Sequence, residues 1–134
     1  MPGQPIIPPW ITFEVTNLEI FEAPPLSPAV IVPVNGPFTL RATFIGSGII
    51  WDWLKSLNVQ WLVSFSAEGN GVNAPDYDLG VAPGNLQPGQ NTYQADLAYA
   101  GIPVAGVYQL ACLVRFPNCP GMTGFNVPLM IEVY

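Results

Sequence analysis

The chain contains no histidine, and its 134 residues include three cations, Arg41, Lys55 and Arg115. Without histidine the commonest general base is missing, and with it the familiar serine and cysteine triads and most zinc and non-haem iron sites. Three scattered cations against nine acidic residues, a net charge of -6, cannot form the clustered patch that releases counterions from a phosphate backbone, so no nucleic acid is expected as partner. An anionic membrane surface is disfavoured for the same reason. No apolar run approaches the roughly 18 to 20 residues that span a bilayer, so no transmembrane segment is expected. Met1-Pro2-Gly3-Gln4-Pro5 lacks the positive charge and apolar stretch of a secretory leader. Cytoplasm is therefore the default expectation, and the cell exterior if a leader was removed.

Phosphate-binding and nucleophile motifs are missing too. Neither Gly-x-x-x-x-Gly-Lys nor Gly-x-Gly-x-x-Gly occurs, and Lys55 and Ser56, being adjacent, do not face each other on a helix. No enzyme activity and no cofactor are expected. Two cysteines are present, Cys112 and Cys119. Seven residues of extended chain span roughly 23 Å, far beyond the about 6.8 Å limit for bridged Cα atoms, and the alternation runs on through Phe116. Cys112 is therefore read as a core thiol and Cys119 as a loop thiol.

What the chain has in quantity is apolar residues, at 50%, with sixteen prolines and thirteen glycines as punctuation. The punctuation falls in clusters such as Ala23-Pro24-Pro25, Asn35-Gly36-Pro37, Pro83-Gly84-Asn85 and Pro120-Gly121, spaced as turns between short strands. After a proline-rich lead over residues 1–9, Ile11, Phe13 and Val15 alternate with polar residues, and the apolar set then shifts to Leu18 and Ile20, which predicts a bulge near Asn17. Val30 to Val34, broken by Pro33, suits an edge strand or one that switches sheets. Further strands place Phe38, Leu40, Ala42 and Phe44 inward, then Val59, Trp61, Val63 and Phe65. A weaker strand covers Tyr77 to Val81, and another turns Tyr93, Ala95 and Leu97 inward. The last two carry Tyr108, Leu110, Cys112, Val114 and Phe116, and Phe125, Val127, Leu129, Ile131 and Val133. The fold class is all-β: an antiparallel β-sandwich of seven or eight strands in a single domain over 1–134. Ile50, Trp53, Leu54 and Leu57, at helical spacing, predict a short helical turn capping one end, with Trp51 projecting away beside Asp52 and Lys55.

This strand order, with Trp61 on the third long strand and Cys112 on the penultimate one, resembles an immunoglobulin-like sandwich. The family's inter-sheet bridge has no counterpart, because the inward positions of the second long strand are Phe38, Leu40, Ala42 and Phe44. The family also places a tyrosine two residues before the penultimate-strand cysteine, where Leu110 stands; the tyrosine is Tyr108. These departures favour disulfide-free relatives, fibronectin type III-like or bacterial adhesion-type modules. The expected role is a non-catalytic interaction or structural module.

Two contact surfaces are expected. One is the end carrying Trp51, Trp53 and Met122, because the loops after the second and penultimate long strands share an end in such a topology. The other is the outer face of the strands ending at Phe65, Phe116 and Val133, where Leu62, Leu113, Met130 and Tyr134 make a drier surface than the mostly polar face of Thr39, Arg41, Thr43, Ile45, Thr92, Gln94, Asp96 and Ala98. Pairing two such faces predicts a homodimer, and cover by the chain's own lead is the alternative. Two further readings stay open: a carrier of a small apolar ligand, which the bulky inward residues oppose, and a calcium site from Glu68, Asp76 and Asp78 with Asn70 and Asn73.

Overall fold

The computed structural model describes residues 11–22, 27–28, 30–70, 74–119, 123–125 and 129–134, with backbone alone at 27, 28 and 125. Trp10, Asn73, Met122, Val127 and Pro128 lie outside the described residues. In chain order the elements are β1 (Thr12–Glu22), β2 (Ser27–Pro28), β3 (Ile31–Val32), β4 (Phe38–Ser47), α1 (Ile49–Ser56) and β5 (Gln60–Asn70). Then follow β6 (Tyr77–Asn85), β7 (Thr92–Tyr99), β8 (Gly106–Arg115), β9 (Thr123–Phe125) and β10 (Leu129–Val133). They form two sheets, β2-β1-β4-β7 and β3-β10-β8-β5-β6, with β9 pairing to β8 beyond β10.

The period-two pattern chooses the faces. Phe38, Leu40, Ala42 and Phe44 on β4, Trp61, Val63 and Phe65 on β5, and Tyr108, Leu110, Cys112 and Val114 on β8 are all buried between the sheets. Phe116 just beyond β8 and Ile131 and Val133 on β10 join them. The bulge falls where the shifted pattern put it: Val15 pairs with Phe44 and Asn17 with Thr43, leaving Thr16 unmatched. β3 is an edge strand, parallel to β10, and it ends at Pro33, which has no N–H to extend the ladder. The chain crosses between sheets from β2 to β3. β6 pairs with β5 rather than with β7, so it belongs to the six-stranded sheet.

The tyrosine that looked misplaced relative to Cys112 does the family's job. Its hydroxyl donates to the Val104 carbonyl at 2.7 Å, closing the corner that leads into β8. Tyr108 is thus the tyrosine corner, and Leu110 holds the place where a bridged member has its cysteine. Cys112 is a core residue one pleat further on, and no disulfide joins it to Cys119.

The helical turn is real, but its inward side is not the expected one. Trp51 is fully buried and Lys55 nearly so, whereas Trp53 is 59% and Leu57 74% exposed. Ile50 and Leu54, also expected inward, are half-buried. Trp51 and Lys55 stand four apart and share one face. Trp51 lies over Gly46, where a Cβ would fall inside the indole, stacks on Phe13 and meets Tyr93 and Phe116 edge-on. The apolar stem of Lys55 completes the inward stripe while its ammonium is satisfied elsewhere.

Gly46→Ala is expected to cost about 1 to 3 kcal/mol through displacement of the Trp51 ring, read as a lower urea midpoint at unchanged slope. Burial raises the Tyr108 phenol above its ordinary value, and Tyr77 adds to the shift. The unfolded chain then loses this proton first, near pH about 10. The Tyr108 contribution to stability is therefore full below that pH and lost as pH rises through the folded-state value. Tyr108→Phe is expected to cost about 1 kcal/mol at neutral pH and to flatten the alkaline fall in thermal midpoint relative to the native chain.

Candidate functional site

At the helix end, Ile49, Trp53 and Leu57 stand at i, i+4 and i+8 and make an exposed apolar ridge along α1. Of the two tryptophans expected there, Trp53 is on the surface and Trp51 is not. Beneath the ridge, Lys55 Nζ donates to Asn91 Oδ1 at 2.6 Å and meets the Asp52 carboxylate at 3.1 Å, tying the helix to the turn before β7. The Tyr93 hydroxyl holds that turn from the inside, accepting from the Gln87 N–H and donating to the Gln90 carbonyl. An open cleft of about 330 Å³ next to the helix is lined by Thr12, Phe13, Glu14, Ile45, Gly46 and Ser47. The space between the sheets is filled by Phe38, Phe44, Trp61, Phe65, Tyr93, Tyr108 and Phe116, which gives the apolar-carrier reading no support.

The outer face of the six-stranded sheet brings together most of the other expected contact residues. The register sets it out in rows: Pro83-Leu62-Arg115, Val81-Ser64-Leu113, Asp78-Ser66-Ala111, Glu68-Gln109-Met130 and Asn70-Val107-Glu132-Ile31. Met130 is 46% and Tyr134 64% exposed, and Ile31, Val81 and Val107, which the sequence reading did not single out, are exposed as well. Leu62 and Leu113 are half-buried. Ile31 was missed because its place on this face depends on the parallel β3–β10 pairing, which no alternation reveals; Val107 continues the outward alternation of β8.

The opposite outer face leaves Ile45 exposed but pairs its arginine and covers its phenylalanine. Arg41 donates to both Asp96 carboxylate oxygens, at 2.8 and 2.9 Å, and lies 4.9 Å over the Phe21 ring. The Asp96 hydrogen bond holds the guanidinium above its ordinary pKa. Phe21 is thereby covered although it points outward opposite Thr39.

The acidic loop does not assemble as a metal site. Among the described residues no three acidic or cysteine side chains converge as metal ligands, so Glu68, Asp76 and Asp78 do not form the expected calcium cluster. Asp76 is used locally, accepting from the Gly69 N–H at 3.0 Å, and Asp78 sits opposite Ser66 on the ladder. Among the described residues no helix is long and apolar enough to cross a membrane.

No protein-family model and no curated protein matches the chain. Among solved structures it is similar to the CARDB domain of a Pyrococcus furiosus protein solved in complex with di-metal ions. The TM-score is 0.55 at 12% identity, over 98% of this chain and 95% of that one. A Listeria innocua β-glucosidase solved with glucose gives a TM-score of 0.54 at 9% identity, over 92% of this chain but 16% of the glucosidase. An alkylpurine DNA glycosylase of Pseudomonas fluorescens, bound to DNA with an abasic site analog, gives 0.50 at 10% identity, over 90% of this chain and 30% of that one. At these identities the likeness is one of fold: an immunoglobulin-like all-β sandwich, which in the two enzymes makes up a minor part of a longer chain.

Because the loop carboxylates are dispersed, excess calcium is expected to leave the thermal midpoint unchanged, and so is chelator. A rise in midpoint with calcium, absent in Asp76→Asn, would restore the site.

Proposed function

We propose that the chain is a non-catalytic interaction module that associates with a second copy of itself through the outer face of the six-stranded sheet. The observation behind this reading is the contrast between the two outer faces. One pairs its arginine, covers its phenylalanine and leaves Ile45 exposed; the other leaves Ile31, Val81, Val107, Met130 and Tyr134 in water with half-buried Leu62 and Leu113 among them. Contiguous apolar surface on a sheet is what soluble monomers avoid.

Size supports a modest interface. Four strand spacings of about 4.8 Å and nine residues at about 3.4 Å give a face of roughly 19 by 27 Å. That is on the order of 500 Å² per copy, near the lower bound of about 1,000 Å² in total for a specific contact. A concentration-dependent dimer is expected, not an obligate one. The ridge of Ile49, Trp53 and Leu57 lies on α1, outside that sheet, and would serve attachment to a different component of a larger assembly.

Sedimentation equilibrium tests the reading. The native chain is expected to show a reversible dimer, and Leu113→Glu with Met130→Glu to be monomeric at the same concentrations. Thr43→Glu with Gln94→Glu on the opposite sheet serves as the control and keeps the dimer. Loss of the dimer in the control, or its persistence in the first variant, would place the contact elsewhere.

A further inference from the structure

β7 is the outermost strand of the four-stranded sheet, and the hydrogen-bond pattern shows which of its backbone groups face away from β4. The Gly46 N–H donates to the Asn91 carbonyl at 3.1 Å. That pair lies on the register that β4 and β7 keep unbroken from Ile45 opposite Thr92 to Phe38 opposite Tyr99. In an antiparallel ladder, bonded and non-bonded pairs alternate. Tyr93, Ala95, Leu97 and Tyr99 therefore turn their N–H and carbonyl groups to β4, whereas Thr92, Gln94, Asp96 and Ala98 turn theirs to the free side. The Gln90 side chain agrees with this parity, its amide donating to the Thr92 carbonyl at 2.9 Å. Among the described residues no hydrogen bond reaches the backbone of Gln94, Asp96 or Ala98 on that side, and all three are exposed.

An open edge is a template for another strand, and folded proteins blunt theirs with short strands, prolines or bulges. Among the described residues the other edges are blunted in these ways. β2 and β3 are two residues long and β9 three, and β1, open beyond β2, is bulged at Thr16. β6 meets β7 where Leu97 lies over Gly80. Its ladder with β5, fixed by the Leu86 N–H donating to the Val59 carbonyl, puts Pro83 at an outward-facing position where a donor is missing. Its register also shifts between Phe65 and Ser66, beside a Gly80 with φ of 135°. β7 has eight residues with no proline, glycine, lysine or bulge.

We propose that the free edge of β7 takes an extended segment of another protein as an added antiparallel strand, a site separate from the self-association surface on the other sheet. In strand addition the main-chain bonds supply affinity and alternate side chains supply selectivity. Here the bonds come from Gln94, Asp96 and Ala98. In an antiparallel pair, the residues of the added strand that bond to β7 stand directly opposite these three and share their face. That face calls for polar side chains, with a lysine or arginine opposite Asp96, whose carboxylate is 46% exposed on a chain of net charge -6. The intervening side chains of the added strand come down beside half-buried Leu97 and Tyr99 and are apolar. A second copy of β7 fits less well, because the strand carries no cation to set opposite Asp96.

The probe is a synthetic peptide of about nine residues, alternating threonine and valine, with lysine in place of the central threonine. Amide hydrogen exchange is followed by NMR on the native chain. Without peptide, Gln94, Asp96 and Ala98 are expected to exchange at least about tenfold faster than Ala95 and Leu97; with peptide, the first set slows towards the second. N-methyl groups on the threonine and lysine amides are expected to weaken binding about tenfold or more, and the same groups on the valines to spare it. Glutamate in place of the lysine is expected to weaken binding about threefold or more. No binding at about 1 mM peptide, binding without new protection at the three amides, or a loss on methylating the valines overturns the proposal. Protection of the three amides that grows with protein concentration in the absence of peptide assigns the edge to a second copy and overturns it as well. None of these readouts depends on whether the outer face of the six-stranded sheet self-associates.

Discussion

Both sheets and the helix are fixed to one cluster of aromatic rings. Phe44 stacks on Tyr93 at 5.4 Å and takes Trp61 edge-on at 5.3 Å; Trp51 joins from the helix through Tyr93, Phe13 and Phe116. These rings come from β1, β4, β5, β7, α1 and the residue following β8, so a change at any one of them is felt in both layers. The cluster has a cost, since the indole nitrogens of Trp51 and Trp61 are buried with no hydrogen-bond partner. Each such donor costs about 1 to 3 kcal/mol. Burying an indole removes roughly 150 to 250 Å² from water, worth about 4 to 6 kcal/mol. Packing wins, and the glycines at 46 and 84 explain how: each lies flat against one indole where a side chain would collide.

That cluster also decides what remains outside. Once Trp51 is seated on Gly46, helix geometry turns Trp53 through roughly 200° and into solvent, and Ile49 and Leu57 go with it. The apolar ridge on α1 is thus a consequence of the core choosing Trp51. A sequence reading based on periodicity alone chose the other face because it counted Lys55 as polar along its whole length. The lysine buries its stem and delivers its charge to Asn91 and Asp52 at the margin, a division that hydropathy patterns do not carry.

The strands were far more legible than the helix. On β4, β5 and β8 alternation alone picks the buried residues, because a register slip of one would turn every apolar side chain out. The bulge near Asn17 showed itself as a shift in that alternation. Tyr108 was harder to recognise, because its expected position was counted from Cys112. The corner is defined by a hydroxyl reaching a carbonyl four residues upstream, and cysteine spacing is irrelevant once the bridge is absent. The calcium reading rested on closeness in sequence; among the described residues Glu68, Asp76 and Asp78 do not group as metal ligands, and Asp76 is committed to the Gly69 backbone.

The outer faces show why register matters more than composition for function. Counted as residues, both carry one arginine among threonines, serines and a few aliphatics. On the four-stranded sheet the pairing of Arg41 with Asp96 across β4 and β7 brings cation and carboxylate into direct register, and the same guanidinium shields Phe21. On the six-stranded sheet the register sets Arg115 opposite Leu62 and leaves Glu132 eight residues of β8 away, opposite Val107. Nothing within one copy can join them, because side chains do not reach across some 27 Å of strand.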